Sequence, residues 1–337
     1  MRGLPDCRVR ISVLALFLLG AMAPGAASAD APRDLSEGNA LKRVDACEAA
    51  LEHYQAAMTA SQPGDGIWEA SAYNRGVCQE LLGRLDDALA TYTLILRRSP
   101  STPAQADALF RRGMTHTLAR HPARARADFR RAGARVQDDV SRRRIEVQLG
   151  SLDRSAGRRM AAVTRLGDAV LSLRDVVDEL PDERWYLAQA LVGLGDLHAE
   201  EAARGLPRGD LATLTTALGE RADALALAQG FYIEAAQQQQ PTWTAAATRR
   251  LGDAYLALGS RLLELRDAPG RLSAFEQTGL AAWIDGRSPE LHRKARDAYR
   301  LCADVFTETA LDDASTKACR AALDSFPEDR LRRPSAP

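Results

Sequence analysis

Few residues in this chain have the types and spacing that could do chemistry. His198, Glu200 and Glu201 could offer ligands to a metal, with His198 and Glu201 an i, i+3 pair on a helical pattern. One such pair falls short of a stable ligand set, so a solvated helix surface is the favoured reading. His116 and His121 flank a break between two helical stretches and lie too near that turn to converge on an ion, which leaves them capping or surface roles. The pairs Asp86-Asp87 and Asp312-Asp313 stand where helices should begin, and there a carboxylate meets the positive end of the helix dipole and free N–H groups. Gly193-x-Gly195 lacks the preceding strand and third glycine of a dinucleotide-binding turn, so helix packing explains it. There is no G-x-S-x-G elbow, no H-E-x-x-H, no phosphate-cradling loop with its lysine and no acidic calcium loop. The expectation is no catalytic residue, no metal and no cofactor.

Cysteines are the other reactive groups. Cys7 falls in the N-terminal leader described below, which leaves Cys47, Cys78, Cys302 and Cys319. No C-x-x-C occurs, which argues against a zinc ribbon or a thioredoxin-like redox pair. An even count in an oxidising compartment implies two disulfides, with four buried thiols as the alternative.

The elements that must position these residues are helices arranged in a repeat. Gly76, Gly113 and Gly150 are spaced 37 and 37. Twelve residues after each stands alanine (Ala88, Ala125, Ala162), sixteen after a large apolar residue (Tyr92, Phe129, Leu166), and nineteen after Ile95, Ala132 and Ala169. A break lies inside each copy, at Gly83, His121-Pro122 and Gly157, so each copy is a helical hairpin. Two antiparallel helices approach closely only where side chains are small, and a large residue one turn on fills the space that opens beyond the crossing. Pro100 then stops the second helix of the first copy.

In these residues the chain resembles the tetratricopeptide repeat family, which implies an all-α fold, an α-solenoid of antiparallel hairpins. The match weakens downstream. Leu251-Gly252-x-x-Tyr255 meets Glu264 at its alanine position, and Leu194-Gly195-x-x-His198 meets Pro207. Turns at Gly205 to Gly209 and at Ala268-Pro269-Gly270 interrupt these copies, and Gln237 to Gln240 before Pro241 read as a helix end. Near the C-terminus Ala303 replaces the glycine, followed by Ser315, Cys319, Ala322 and Pro327. Asn39 to Ala60 reads as one helix, with Leu41, Val44, Cys47, Leu51, Tyr54 and Met58 on one stripe, capping the first repeat. The expected organisation is a signal peptide at 1–29, a cap helix within 30–66, three repeats in 67–172, divergent hairpins in 173–287, a hairpin in 288–327 and a tail at 328–337.

The leader reading rests on Arg2, Arg8 and Arg10, the apolar run from Ile11 to Met22 and the small residues Ala27-Ser28-Ala29. That run is too short to span a bilayer, so cleavage after Ala29 and a periplasmic or secreted product are expected, with no membrane span afterwards. The 337 residues carry 45 basic and 45 acidic side chains, 46% hydrophobic and 5% aromatic residues, which fits helices and a packed core. Only Lys42, Lys294 and Lys317 are lysines, the remaining basic residues being arginine, and no basic tail points to nucleic acid.

The resemblance also implies where a partner would bind. It places the concave surface on the first helix of each hairpin, at −3, +1 and +4 or +5 from the repeat glycine. These are Tyr73, Val77 and Leu81, then Phe110, Met114 and Leu118, then Val147, Ser151, Arg154 and Ser155, with Arg144 one turn before Val147. Such a groove would run from apolar to basic and suit a peptide with bulky apolar residues beside an acidic group. In the same template Cys302 and Cys319 face each other across a hairpin, where a disulfide would contribute about 3 kcal/mol. Cys47 and Cys78 are the complementary pair. The expected function is a non-enzymatic scaffold holding protein or peptide partners. The alternatives are a structural subunit of an envelope assembly, or an envelope enzyme with an unfamiliar site in residues 182–285.

Overall fold

The computed structural model describes residues 30–267 and 269–326. The expected leader and tail, and Pro327, lie outside the described residues. The described chain forms thirteen α-helices and no strand. It divides within one helix, after Leu152, into two units.

Unit one contains α1 (Asp30–Arg43), α2 (Cys47–Thr59), α3 (Gly66–Leu81), α4 (Leu85–Arg98), α5 (Thr102–Leu118), α6 (Pro122–Gly133) and most of α7 (Asp139–Ser155). Consecutive helices pair as antiparallel hairpins: α1 with α2, α3 with α4, α5 with α6. Their crossings repeat one contact. A Cβ placed on Gly76 would lie 2.6 Å from the Tyr92 ring, and one on Gly113 would lie 2.8 Å from Phe129, so only glycine lets the rings in. Gly38 stands in the same relation to Tyr54, at 2.7 Å. The expected single cap helix is therefore a complete hairpin. It breaks at 44–46, where Asp45 takes a left-handed φ of 60°. Ala50, Tyr54 and Ala57 occupy the buried positions that Ala88, Tyr92 and Ile95 occupy in the next copy.

Unit two holds the end of α7, then α8 (Arg159–Arg174), a 3-10 turn at Pro181–Glu183, α9 (Arg184–Ala202), α10 (Leu211–Gln237), α11 (Pro241–Asp267), α12 (Ala274–Thr309) and α13 (Ala314–Asp324). The glycine contact persists with longer arms. Gly195 faces Tyr232 and Gly252 faces Tyr299, each with a prospective Cβ 2.6 Å from the ring. The partner alanines of these glycines are thus Ala228 and Ala295, both fully buried, rather than the positions of Pro207 and Glu264. The inserted residues lengthen α10, α11 and α12, and Leu214, Leu262, Leu265, Leu272, Leu280 and Ile284 form a second core among the arms.

Helix ends follow from local chemistry. Ser273 and Glu276 form a reciprocal capping box at the start of α12, Asp210 caps α10 and Asp313 caps α13. α12 runs unbroken through Pro289, so the expected boundary at 287/288 falls inside a helix. Its second half is the partner of α11, and α13 packs alone on α11 and α12 instead of completing another hairpin.

Cys302 on α12 and Cys319 on α13 are joined by a disulfide, with a Cα–Cα distance of 6.1 Å. The expected Cys47–Cys78 bond is not formed. Because the chain turns at 44–46, Cys47 opens α2 instead of lying in mid-helix, and both sulfurs pack as small apolar groups around Ala50 and Tyr54.

Candidate functional site

The A-helix surface of unit one is built from the backbone upward. In the second and third hairpins the −3 residue of the first helix lies over the ring that fills the crossing. Tyr73 sits 6.3 Å from Tyr92 and Phe110 5.7 Å from Phe129, both pairs inclined at 59°. Tyr73 and Phe110 are half-buried, each braced from below by its own hairpin.

These two aromatics and Arg144 converge on one pocket, completed by Ala106, Asp107, Val136, Ser141 and Ile145. Asp107 is its unforeseen member. Its carboxylate makes no hydrogen bond or ion pair with the described residues. Burial pushes its pKa up to about 7, nearby Asp138 adds to that, and the Arg144 guanidinium works the other way. No motif marks Asp107. Its only signal is an acid one position past the buried Ala106 on an otherwise apolar helix face.

The other expected groove residues divide. Leu81 and Leu118 are 43% and 41% exposed at the ends of α3 and α5. Met114 is half-buried against the cluster of Leu109, Phe129 and Leu149. Val77 and Val147 are core residues, 6% and 0% exposed, and Arg144 is itself buried at 8%. Ser151 donates its hydroxyl to the Val147 carbonyl, and Ser155 is exposed. Arg154 belongs to unit two, where it pairs with Asp196 at 3.2 Å and Glu200 at 3.7 Å. The expected basic end is therefore corrected. Arg154 is neutralised by carboxylates, and Arg144 shares its pocket with Asp107.

In unit one a buried ion pair joins two A helices. The Arg111 guanidinium donates to Glu80, which also accepts from the Thr115 hydroxyl. On the neighbouring helices Asn39 accepts from Tyr54 (3.0 Å) and from Asn74 (2.9 Å), and Asn74 in turn accepts from Lys42 (2.9 Å). The residue after the crossing glycine plays the same part in unit two, where Asp196 accepts from the Tyr232 hydroxyl at 2.9 Å and Asp253 from Tyr299 at 2.8 Å. A glycine followed by Asn or Asp, with a tyrosine on the partner helix, is a sequence signal for these crossings.

The residues weighed for chemistry have structural surroundings. His198 stacks on Phe231 at 5.6 Å, and burial lowers its pKa. Glu201 pairs with Arg204 and Arg221. His116 lies 3.8 Å from Asp128 and 5.8 Å from the His121 ring. Asp86 and Asp87 open α4, Asp313 caps α13, and Asp312 pairs with Lys317 and Arg320. Gly193 admits Leu166 of α8, a packing role.

No protein-family model and no curated protein matches the sequence. Solved structures with similar folds include the C-terminal part of a TPR repeat-containing protein from Cytophaga hutchinsonii, at 12% identity over 88% of this chain and 99% of that one, TM-score 0.44. The TPR2AB domain of yeast Sti1 in its pHSP90 complex is 12% identical over 90% and 98%, TM-score 0.35. A Rap protein complexed with competence and sporulation factor is 13% identical over 90% and 99%, TM-score 0.33. The glycine-to-ring crossing, present between α1 and α2, α3 and α4, α5 and α6, α9 and α10, and α11 and α12, makes the fold tetratricopeptide-like.

Proposed function

We propose that this chain is a non-enzymatic scaffold that holds a peptide segment of a partner protein against the A helices of unit one. The observation that carries this reading is the pocket where Tyr73 and Phe110, each braced by a ring of its own hairpin, open together between α5 and α7. Rigid, half-exposed aromatics over an apolar floor are what a binding surface uses as anchors. With Asp107 beside Arg144, the half-exposed faces of Tyr73 and Phe110 offer apolar contact, and a preference for acidic peptides has no support. We further infer that the chain works in the periplasm or outside the cell. The N-terminal sequence and the Cys302–Cys319 bond support this, since disulfides persist in oxidising compartments.

The test begins with affinity capture of the full chain from its native extract and continues with binding of the captured partner to variants. Tyr73→Ala and Phe110→Ala should each weaken binding by about 1–3 kcal/mol. Undiminished binding by both variants, with melting temperatures unchanged, places the site elsewhere. A structural subunit role is the second reading, favoured by Phe275, 89% exposed, and Trp283, 44% exposed, on α12.

A further inference from the structure

On the first hairpin, away from the pocket, three side chains converge from two helices. Asp34 and Glu37 stand three residues apart on α1, and His53 reaches them from α2. The His53 Nδ1 atom is 3.3 Å from Asp34 Oδ1 and also 3.3 Å from Glu37 Oε2. All three ligand atoms lie within 4.8 Å of one another.

These equal distances are informative. The contact with Asp34 is a long hydrogen bond; a charge-assisted N–H···O bond settles at about 2.7–2.9 Å, and one imidazole N–H does not bond two carboxylates equally well. A tetrahedral zinc ion with bonds of about 2.0–2.1 Å instead separates its ligand atoms by about 3.3–3.4 Å. The nitrogen-to-oxygen distances match that edge. The second oxygen of Glu37, Oε1, accepts from Arg33 Nε at 2.8 Å, which orients Oε2 toward the histidine. An outer partner of this kind is what fixes a metal-binding carboxylate. The three side chains are 23% (Asp34), 40% (Glu37) and 33% (His53) exposed, so an ion can enter and water can complete its shell.

We propose that Asp34, Glu37 and His53 form a zinc site that clamps α1 to α2. The imidazole nitrogen favours zinc over magnesium or calcium, which take oxygen ligands. The ion would replace the repulsion between the two carboxylates by shared coordination and would hold the hairpin at the N-terminal end of the described chain.

The test uses the full chain, tag-free and stripped of metal, titrated calorimetrically with zinc chloride near neutral pH. One equivalent should bind, calcium should not compete, and bound cobalt should give the visible absorption of a tetrahedral ion. Losing an outer partner alone costs about 10–100-fold in affinity, so His53→Ala and Asp34→Asn should weaken zinc binding at least that much. Both variants should keep the metal-free melting temperature while losing its rise with zinc. Should His53→Ala not fold, the near-isosteric Asp34→Asn decides alone. Absence of zinc uptake overturns the proposal, and so does uptake that survives these variants but disappears in Cys47→Ser or Cys78→Ser.

Discussion

At the scale of single residues, buried charge makes the sharpest predictions. Glu80 and Arg111 are almost wholly buried and pair across α3 and α5, with Arg111 Nε left unpartnered among the described residues. Removing one partner strands the other in a low-dielectric interior, so Arg111→Met should cost about 3–5 kcal/mol in chemical denaturation. Adding Glu80→Leu should restore most of that loss, because an apolar pair of similar volume needs no solvation; a double variant as unstable as the single one would contradict this. Asp107 gives a pH prediction of opposite character. Its folded pKa of about 7 exceeds the value of about 3.9 of an unfolded aspartate, so the folded state holds the extra proton between them. Stability from this group is full below about pH 4 and falls as pH rises through 7. Asp107→Asn should therefore raise the melting temperature at pH 8 and leave it nearly unchanged at pH 4. The fillers Tyr92 and Phe129 were legible from spacing alone, whereas Asp107 was not, because its environment is assembled by α5, α7 and the segment before α7. The same holds for His53, nineteen and sixteen positions from Asp34 and Glu37. No local pattern announces ligands that meet only when a hairpin closes.

At the scale of elements, the turn inside each hairpin repeats as faithfully as the crossing. Asp45, Gly83, Arg120 and Gly157 each follow the repeat glycine by seven residues, and all four take left-handed backbone with φ between 59° and 73°. Two of them carry a Cβ that this conformation disfavours by about 1–2 kcal/mol. Arg120→Gly should therefore stabilise unit one by about 1 kcal/mol, and Gly83→Ala should destabilise it by a similar amount, both readable as shifts in the denaturant midpoint. If Arg120→Gly loses stability, the arginine side chain is contributing more than the turn costs. This seven-residue offset also explains what sequence reading missed. The first hairpin has Asp45 where glycine would have signalled a turn, so a continuous stripe from Leu41 to Met58 looked like one helix. In unit two the offset of sixteen grew to 37 for Gly195 and Tyr232 and to 47 for Gly252 and Tyr299. A fixed template fails there, yet alanine four residues before tyrosine recurs at Ala50, Ala88, Ala228 and Ala295. The hairpins that appeared degraded keep the crossing and differ in arm length.

At the scale of the whole molecule, the state of the cysteines and of the N-terminus can be read in one measurement. The structure joins Cys302 to Cys319 and leaves Cys47 and Cys78 without a disulfide between them. Cys7 precedes the expected cleavage site. When the protein is denatured without reductant, alkylated and weighed intact, a chain beginning at Asp30 should carry two modified thiols. A retained leader would add both its own mass and a third modification at Cys7. Four modifications on the shortened chain would mean that Cys302 and Cys319 are reduced, and none would mean that Cys47 and Cys78 have also been oxidised. The energetic side follows from where the bond lies. It closes a loop with a sequence separation of 17, a constraint worth about 3 kcal/mol in the chain-entropy model. It ties α13 to α12, and α13 has no second helix of its own to complete a hairpin, so its hold on the fold depends on Cys319, Thr316 and its contacts with α11. Reduction should accordingly loosen α13 before it affects unit one. Hydrogen exchange should report this as faster amide exchange in residues 314–324 under reductant, with α3 and α4 unchanged. Uniform acceleration across both units would show instead that the bond stabilises the chain as one cooperative block.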